Sequence, residues 1–415
     1  MKNKQKSKKR IKNIILLFIV LIFVTIVLKN KNIINFKNTI GLKNNLGIST
    51  TIKEKNTNNF TYVTSRDGEQ VPVPKGYTAS SVENEQYVNV QLDIDGNKLY
   101  DGGFVIYEGT DAVPSDSDGL FYAQKTRNQW VWIPISNEQF SEIYHISENE
   151  IYSNQYIFPT AIDEDDQTSK YNITTATNNY EPRIVERSDF DYSLLQYLDE
   201  APTLYQFKNE LKQRYYDLLM SIQTYGGFYI GRYETGDLSK NVAVVKRLNN
   251  DLGNQNWYTV YQLCKRLKGN NEAVDTNILY GSQYDEVLKW FIDTNALSLY
   301  QVANDASSWG NFFDNSIPYM YNTNGDMSTT TLNGYGRKLI MSGASDYTKV
   351  NNIYDLCGNV LDWTMDWYSG NTGRWVRGGN YGHKGSQAKV SQRASFIGNT
   401  TQYGYLGCRA TLYIK

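Results

Sequence analysis

From about residue 300 to residue 415 the chain has almost no helical period, yet it is dense in Gly, Asn, Tyr and Trp. A compact domain holds an irregular tract of that length only if buried rings, turn residues or ions pin it. The 34 Tyr and 8 Trp supply such rings. Amphipathic rings and turn formers favour sheets and ordered loops over a large helical bundle. Hydrophobic residues at 40% and charged residues at 20% describe a globular mix rather than a disordered one. The 415 residues suggest about two to three domains.

A net charge of -1 conceals two opposite parts. Residues 1–55 hold 13 of the 42 basic residues and one acid, Glu54, leaving an excess of 13 acids in the rest. An acidic bulk argues against a nucleic-acid partner. Lys2, Lys4, Lys6, Lys8, Lys9, Arg10 and Lys12 precede an apolar run from Ile14 to Leu28, which Lys29 ends. At about 1.5 Å per residue such a run spans roughly 22 Å, and snorkelling lysines can extend it toward the bilayer thickness. The basic cluster places the amino end in the cytoplasm and exports the remainder. The expectation is a cytoplasmic tail over 1–13, a single-pass transmembrane signal anchor over 14–28 and a polar stalk over 29–59. The alternative is secretion after cleavage of a signal of the same length.

Cys264, Cys357 and Cys408 lie far apart with no CxxC pair, so a zinc ribbon, a redox dithiol motif and a disulfide scaffold are not expected. Cys264 lies on an apolar helical stripe and reads as a small buried residue. His145 and His383 are too few for a multi-histidine metal site.

Residues 60–124 read as a β-rich leading segment. Val71–Gly76 is an extended edge with a turn, 87–92 alternates as a half-buried strand does, and 103–107 and 130–135 read as strands buried on both faces. The acidic, Asn- and Thr-rich stretch 146–200 reads as an exposed insertion. Helices are predicted over 203–224, stopped by Gly226-Gly227, over 256–268, ending at Gly269, and over 284–292.

Three carboxyl-terminal segments carry a resemblance: Ile353-Tyr-Asp-Leu-Cys-Gly-Asn-Val-Leu-Asp-Trp-Thr364, Trp375-Val-Arg-Gly-Gly-Asn380 and Gly404-Tyr-Leu-Gly-Cys-Arg-Ala410. Upstream stand Gly227-Phe-Tyr-Ile-Gly-Arg-Tyr-Glu-Thr235 and Tyr280-Gly-Ser-Gln-Tyr-Asp285. In this order they resemble the formylglycine-generating, sulfatase-modifying-factor family, over roughly residues 125–415. The resemblance implies an α+β domain of C-type-lectin-like fold with much irregular structure.

Asp355 and Asp362 bracket the Gly358-Asn359 turn, so two carboxylates and turn carbonyls could converge on one hard cation. The resemblance implies calcium there, held by Asp355, the carbonyls of Gly358 and Val360, and Asp362, which is one methylene shorter than the family's Glu. Trp363 is expected in the core. Arg377 with Gly378 and Gly379, and Arg409, are expected to tie loops together. Cys357 and Cys408 replace apolar family positions and are expected in the core.

The family's oxidases bind copper through two cysteines shortly after Arg-Gly-Gly-Ser. Here those positions hold His383 and Ala388, and neither supplies the soft thiolate that Cu(I) needs. The iron-dependent branch would need more histidines than the chain has. The resemblance therefore implies a non-catalytic relative, a membrane-anchored extracellular binding module of a bacterial surface. Its ligand would be a glycan, wall polymer or protein, met by Tyr381, His383, Lys384, Ser386, Gln387, Lys389, Gln392, Asn399 and Tyr403. Nearby Trp367, Tyr368, Trp375, Arg393 and Gln402 belong to the same loop region, with Trp367 and Trp375 equally readable as core. Two alternatives stay open: a family enzyme with altered metal-dependent oxidase chemistry, and a variable receptor of a diversity-generating retroelement.

Overall fold

A computed structural model describes residues 59–65, 68–85, 91–92, 98–99, 102–135, 198–199, 202–237, 242–328, 338–367, 373–387, 390–391, 394–397 and 403–415. The chain divides into two units, Met1–Asn56 and Thr57–Lys415, and the described residues lie in the second. Among them no helix is long and apolar enough to cross a membrane. The expected anchor over 14–28, the stalk up to residue 58 and nearly all of the 146–200 insertion lie outside the described residues.

A six-stranded antiparallel sheet forms the backbone of the fold. Its strands are β1 (Tyr77–Ala79), β2 (Val105–Glu108), β3 (Gln129–Pro134), β4 (Gly227–Gly231), β5 (Val274–Ile278) and the chain-terminal Ala410–Ile414. A second sheet contains β6 (Leu361–Trp367), β7 (Gly373–Arg377), β8 (Ala394–Ile397) and β9 (Leu406–Cys408); the terminal strand is β10. The first sheet runs β5-β10-β4-β3-β2-β1 and the second β8-β7-β6-β9. The terminal strand thus sits between β4 and β5, and Arg409 lies at the junction of the two sheets. Strands β6 and β7 pair antiparallel with a register shift between Trp363 and Trp367, whereas β6 and β9 pair parallel.

The expected strands over 103–107 and 130–135 appear as β2 and β3, and β3 is buried over five of its six residues. The helices, in chain order, are α1 (Ser81–Glu85), α2 (Ser117–Thr126), α3 (Leu204–Tyr225), α4 (Trp257–Arg266), α5 (Gly281–Asp293) and α6 (Leu299–Ala303). Helix α3 starts at a capping box in which Gln206 N donates to Thr203 Oγ1 at 3.3 Å and Thr203 N donates to Gln206 Oε1 at 2.8 Å. It stops where Gly226 turns left-handed at φ 82°. Its apolar stripe, Phe207, Leu211, Leu218, Leu219 and Ile222, is buried.

Helix α4 begins at Asn256, whose Oδ1 accepts from Thr259 N at 2.9 Å, and ends with Lys265 and Arg266. These cations oppose the negative end of the helix dipole. Arg374 stacks 3.5 Å from the Trp257 ring, and Trp257 stacks on Tyr261 at 5.2 Å. Buried rings therefore hold the irregular half in place, joined by turns such as Asn351 and Asn352 at positive φ.

Candidate functional site

The Gly358-Asn359 turn is the point where three of the motif segments meet, its own, the one that carries Glu234 and the one that carries Gly378. Asp355, Gly358 and Asn359 have φ of 53°, 74° and 51°; Gly, Asn and Asp tolerate this left-handed region best. The Asn359 side chain uses its full hydrogen-bonding capacity. Its Nδ2 donates to Glu234 Oε2 at 2.6 Å and to the Ile340 carbonyl at 3.1 Å. Its Oδ1 accepts from Asn311 Nδ2 at 3.0 Å and Ile340 N at 3.1 Å. Gly358 N donates to the Gly378 carbonyl at 2.9 Å, which joins this turn to the Arg-Gly-Gly loop.

Glu234 comes from the early Tyr-Glu-Thr segment and is fully buried. Its Oε1 accepts from Val360 N at 3.3 Å. Burial, with Asp355 and Asp362 nearby, pushes its carboxyl well above the ordinary range. Sequence reasoning quoted this glutamate but gave it no role. The available signal was an acid beside the apolar strand Gly227–Gly231.

Two arginines of the carboxyl-terminal motifs hold different joints. Arg409 donates through Nη1 to the Gly231 carbonyl at 2.9 Å and through Nη2 to the Tyr354 carbonyl at 2.7 Å, and its Nε stands 3.7 Å from Asp362 Oδ2. Arg377 pairs through Nη2 with Asp285 Oδ1 at 2.5 Å and covers the Tyr284 ring at 4.5 Å. Tyr284 Oη in turn donates to the Leu356 carbonyl at 2.5 Å. Gly378 and Gly379 take φ of 90° and 73°, and Trp363 is fully buried.

The proposed calcium ligands are only partly free for such a role. Asp362 is 1% exposed and neither carboxylate oxygen has a hydrogen-bond partner, which suits a cation. Asp355, however, accepts from Thr348 Oγ1 at 2.6 Å, Gly343 N at 2.7 Å and Ser342 Oγ at 3.2 Å. Its carboxylate therefore ties the 342–348 loop, and Arg409 already supplies positive charge beside Asp362. Among the described residues no group of three or more His, Cys, Asp or Glu is placed to hold a metal ion.

The buried acids give the protein a pH dependence. Burial raises Asp362 to about 7, against the lowering effect of Arg409, and raises Asp251 to about 6, against the bond from Gly253 N. Unfolded, both titrate near 3.8. The folded state therefore binds more protons between those values, and the stability this lends is fully present below about 3.8 and is lost as pH rises through about 6 and 7. Thermal melts from pH 5 to pH 8 should show Tm falling, with a shallower fall in Asp362→Asn. A flat or rising profile in the unmodified chain would contradict the assignment.

Beside this centre the chain presents polar side chains on a fixed backbone. His383, Lys384 and Ser386 are exposed, Tyr381 is half-buried and Tyr403 is 48% exposed. Phe313 N donates to the His383 carbonyl at 2.8 Å and Ala306 N to the Gly385 carbonyl at 3.0 Å. Asp314 accepts from Gly385 N at 2.5 Å and from Ser386 Oγ at 2.7 Å. Tyr381 N donates to the Asn359 carbonyl at 3.0 Å, so the loop also rests on the central turn. Tyr403 stacks on Tyr405 with ring centres 5.0 Å apart and planes at 16°. Trp375 is partly buried against the core. Tyr368, Ala388, Lys389, Gln392, Arg393, Asn399 and Gln402 lie outside the described residues, and the side chains of Trp367 and Gln387 do as well.

All three cysteines are fully buried. Burial pushes the Cys357 and Cys408 thiols well above their ordinary range, so both are held as neutral thiols. The fold therefore contributes no exposed thiolate to the His383 loop.

The family comparison agrees with this arrangement. Residues 285–411 match the sulfatase-modifying factor enzyme 1-like domain. The match contains Asp285, the Gly358-Asn359 turn, the Arg377 loop and Arg409, while Glu234, which bonds to that turn, precedes it. The mixed helix and sheet content fits the C-type-lectin-like fold of this family. Two solved structures are similar at 12% identity. Variable protein 1 of Treponema denticola aligns over 46% of this chain and 85% of its own with a TM-score of 0.26. PvdO from Pseudomonas aeruginosa aligns over 46% of this chain and 82% of its own with a TM-score of 0.27. Likenesses this distant do not bear on function. No curated protein matches the chain.

Proposed function

We propose that this sulfatase-modifying-factor relative is a non-catalytic binding module, anchored through residues 14–28 and facing the outside of a bacterial cell. It would recognise a glycan, wall polymer or protein through the 381–387 loop and Tyr403. The observation that carries this reading is the pinned loop that displays His383 and Lys384 where the family's oxidases have a cysteine. A loop whose backbone is already bonded to Phe313, Ala306 and Asp314 loses little entropy on binding. Exposed tyrosine with short polar side chains makes an adaptable contact surface. Without a thiolate pair the oxidase route lacks its copper ligands.

A panel of glycans and purified peptidoglycan, probed with the full chain, tests the reading. Saturable binding to at least one class is expected, without formylglycine formation on cysteine-containing peptides. Copper-dependent turnover with stoichiometric bound copper would overturn it.

A further inference from the structure

The three cysteines are far apart in the sequence, yet two of them meet in the fold. Cys264 Sγ on helix α4 stands 3.4 Å from Cys408 Sγ on strand β9, and both residues are fully buried. Cys357 lies elsewhere, packed against Gly310 and the Gly378 turn. We propose that Cys264 and Cys408 are an oxidation site, closed to a disulfide by a low-molecular-weight disulfide while the chain folds. The inference stands apart from the reading of the ligand-binding loop.

A cystine S–S bond is about 2.05 Å long, so closure needs the two sulfurs to approach by roughly 1.4 Å. Their elements are already held together. Trp257 Nε1 on α4 donates to the Thr364 carbonyl on β6 at 2.8 Å, and β6 pairs with β9 through Trp363 and Cys408. In the folded state full burial shuts both sulfurs off from reagents, and the Cys408 thiol is held protonated by its surroundings and the neighbouring thiol. Oxidation therefore belongs to the folding chain, before α4 packs down.

The step balances with glutathione disulfide as oxidant. The Cys264 thiolate attacks one glutathione sulfur, forms a mixed disulfide and releases one glutathione thiolate. The Cys408 thiolate then attacks the Cys264 sulfur and releases the second. Two protein thiols lose their protons to solvent, and their two electrons leave on two glutathione thiols. The bond would close a 144-residue separation between α4 and β9. A cross-link between such distant residues restricts the unfolded chain and raises stability.

The test is refolding of the denatured, reduced full chain in a glutathione redox buffer and, in parallel, with excess reductant. Thiols are then counted after denaturation. One thiol per chain is expected after oxidation and three after reduction, with a peptide map showing the Cys264–Cys408 cross-link and a Tm higher by several degrees in the oxidised form. Cys357→Ala, refolded in the same way, should show none after oxidation. Three thiols in the oxidised, folded chain, or a cross-link that includes Cys357, would overturn the proposal. So would an oxidised form that melts no higher than the reduced one.

Discussion

Gly358→Ala is expected to destabilise the protein by about 2–5 kcal/mol, combining left-handed backbone strain with overpacking. A Cβ at this position would lie 2.5 Å from the Asn311 carbonyl oxygen and 2.6 Å from Asn311 N, at a φ of +74°. Both neighbours are backbone and cannot rotate aside. The shift would also break the bond from Asn359 N to the Asn311 carbonyl at 2.9 Å, and with it the seat of the Asn359 side chain. Gly269→Ala is the control, since its φ is +55° but no atom lies within 4 Å of the added Cβ. It should cost only the strain, about 1–2 kcal/mol. Urea denaturation of the two variants measures the difference, and equal losses would show that the close approach at Gly358 is not tight.

Arg377→Ala is expected to cost about 3–5 kcal/mol, because it breaks a buried ion pair by removing one partner. Arg377 is fully buried and its pairing with Asp285 at 2.5 Å bridges β7 and α5. Removing both charges should recover much of the loss, since a buried pair replaced by apolar groups of similar volume is often neutral. Arg377→Met with Asp285→Leu should therefore be more stable than Arg377→Ala alone. A double-mutant cycle read by urea denaturation gives the coupling. Additive losses would mean that the pair does not act as a unit.

The residues that sequence reasoning could place were those with a local rule. Gly226 and the apolar stripes of α3 and α4 obey helix stop and period signals, and they marked both helices to within a few residues, while the caps at Thr203 and Asn256 emerged only in the fold. The Gly-Asn turn and the Arg-Gly-Gly loop were visible as short motifs. Their partners were not, because Glu234 and Asn311 reach the turn, and Ser342 and Thr348 reach Asp355, through contacts that no spacing encodes. The same limit explains Cys264: its helical stripe shows that it is buried, but not that Cys408 lies against it. For Asp355 the resemblance implied a cation ligand, and no spacing in the sequence announced the bonds it accepts from Thr348, Gly343 and Ser342. Loop residues such as His383 and Lys384 were legible only as exposed and polar, and Asp314, which fixes that loop, lies about 70 positions away.

Loop variants compared with a control elsewhere on the surface test the account most directly. His383→Ala, Lys384→Ala and Tyr403→Ala are combined in the full chain, with Tyr122→Ala as the control, since Tyr122 is 66% exposed on α2. All of these positions are exposed, so Tm should change little. The account predicts that the triple variant loses at least tenfold in affinity for whichever glycan, peptidoglycan or protein the unmodified chain binds, while Tyr122→Ala binds normally. Unchanged affinity in a folded triple variant would contradict the account.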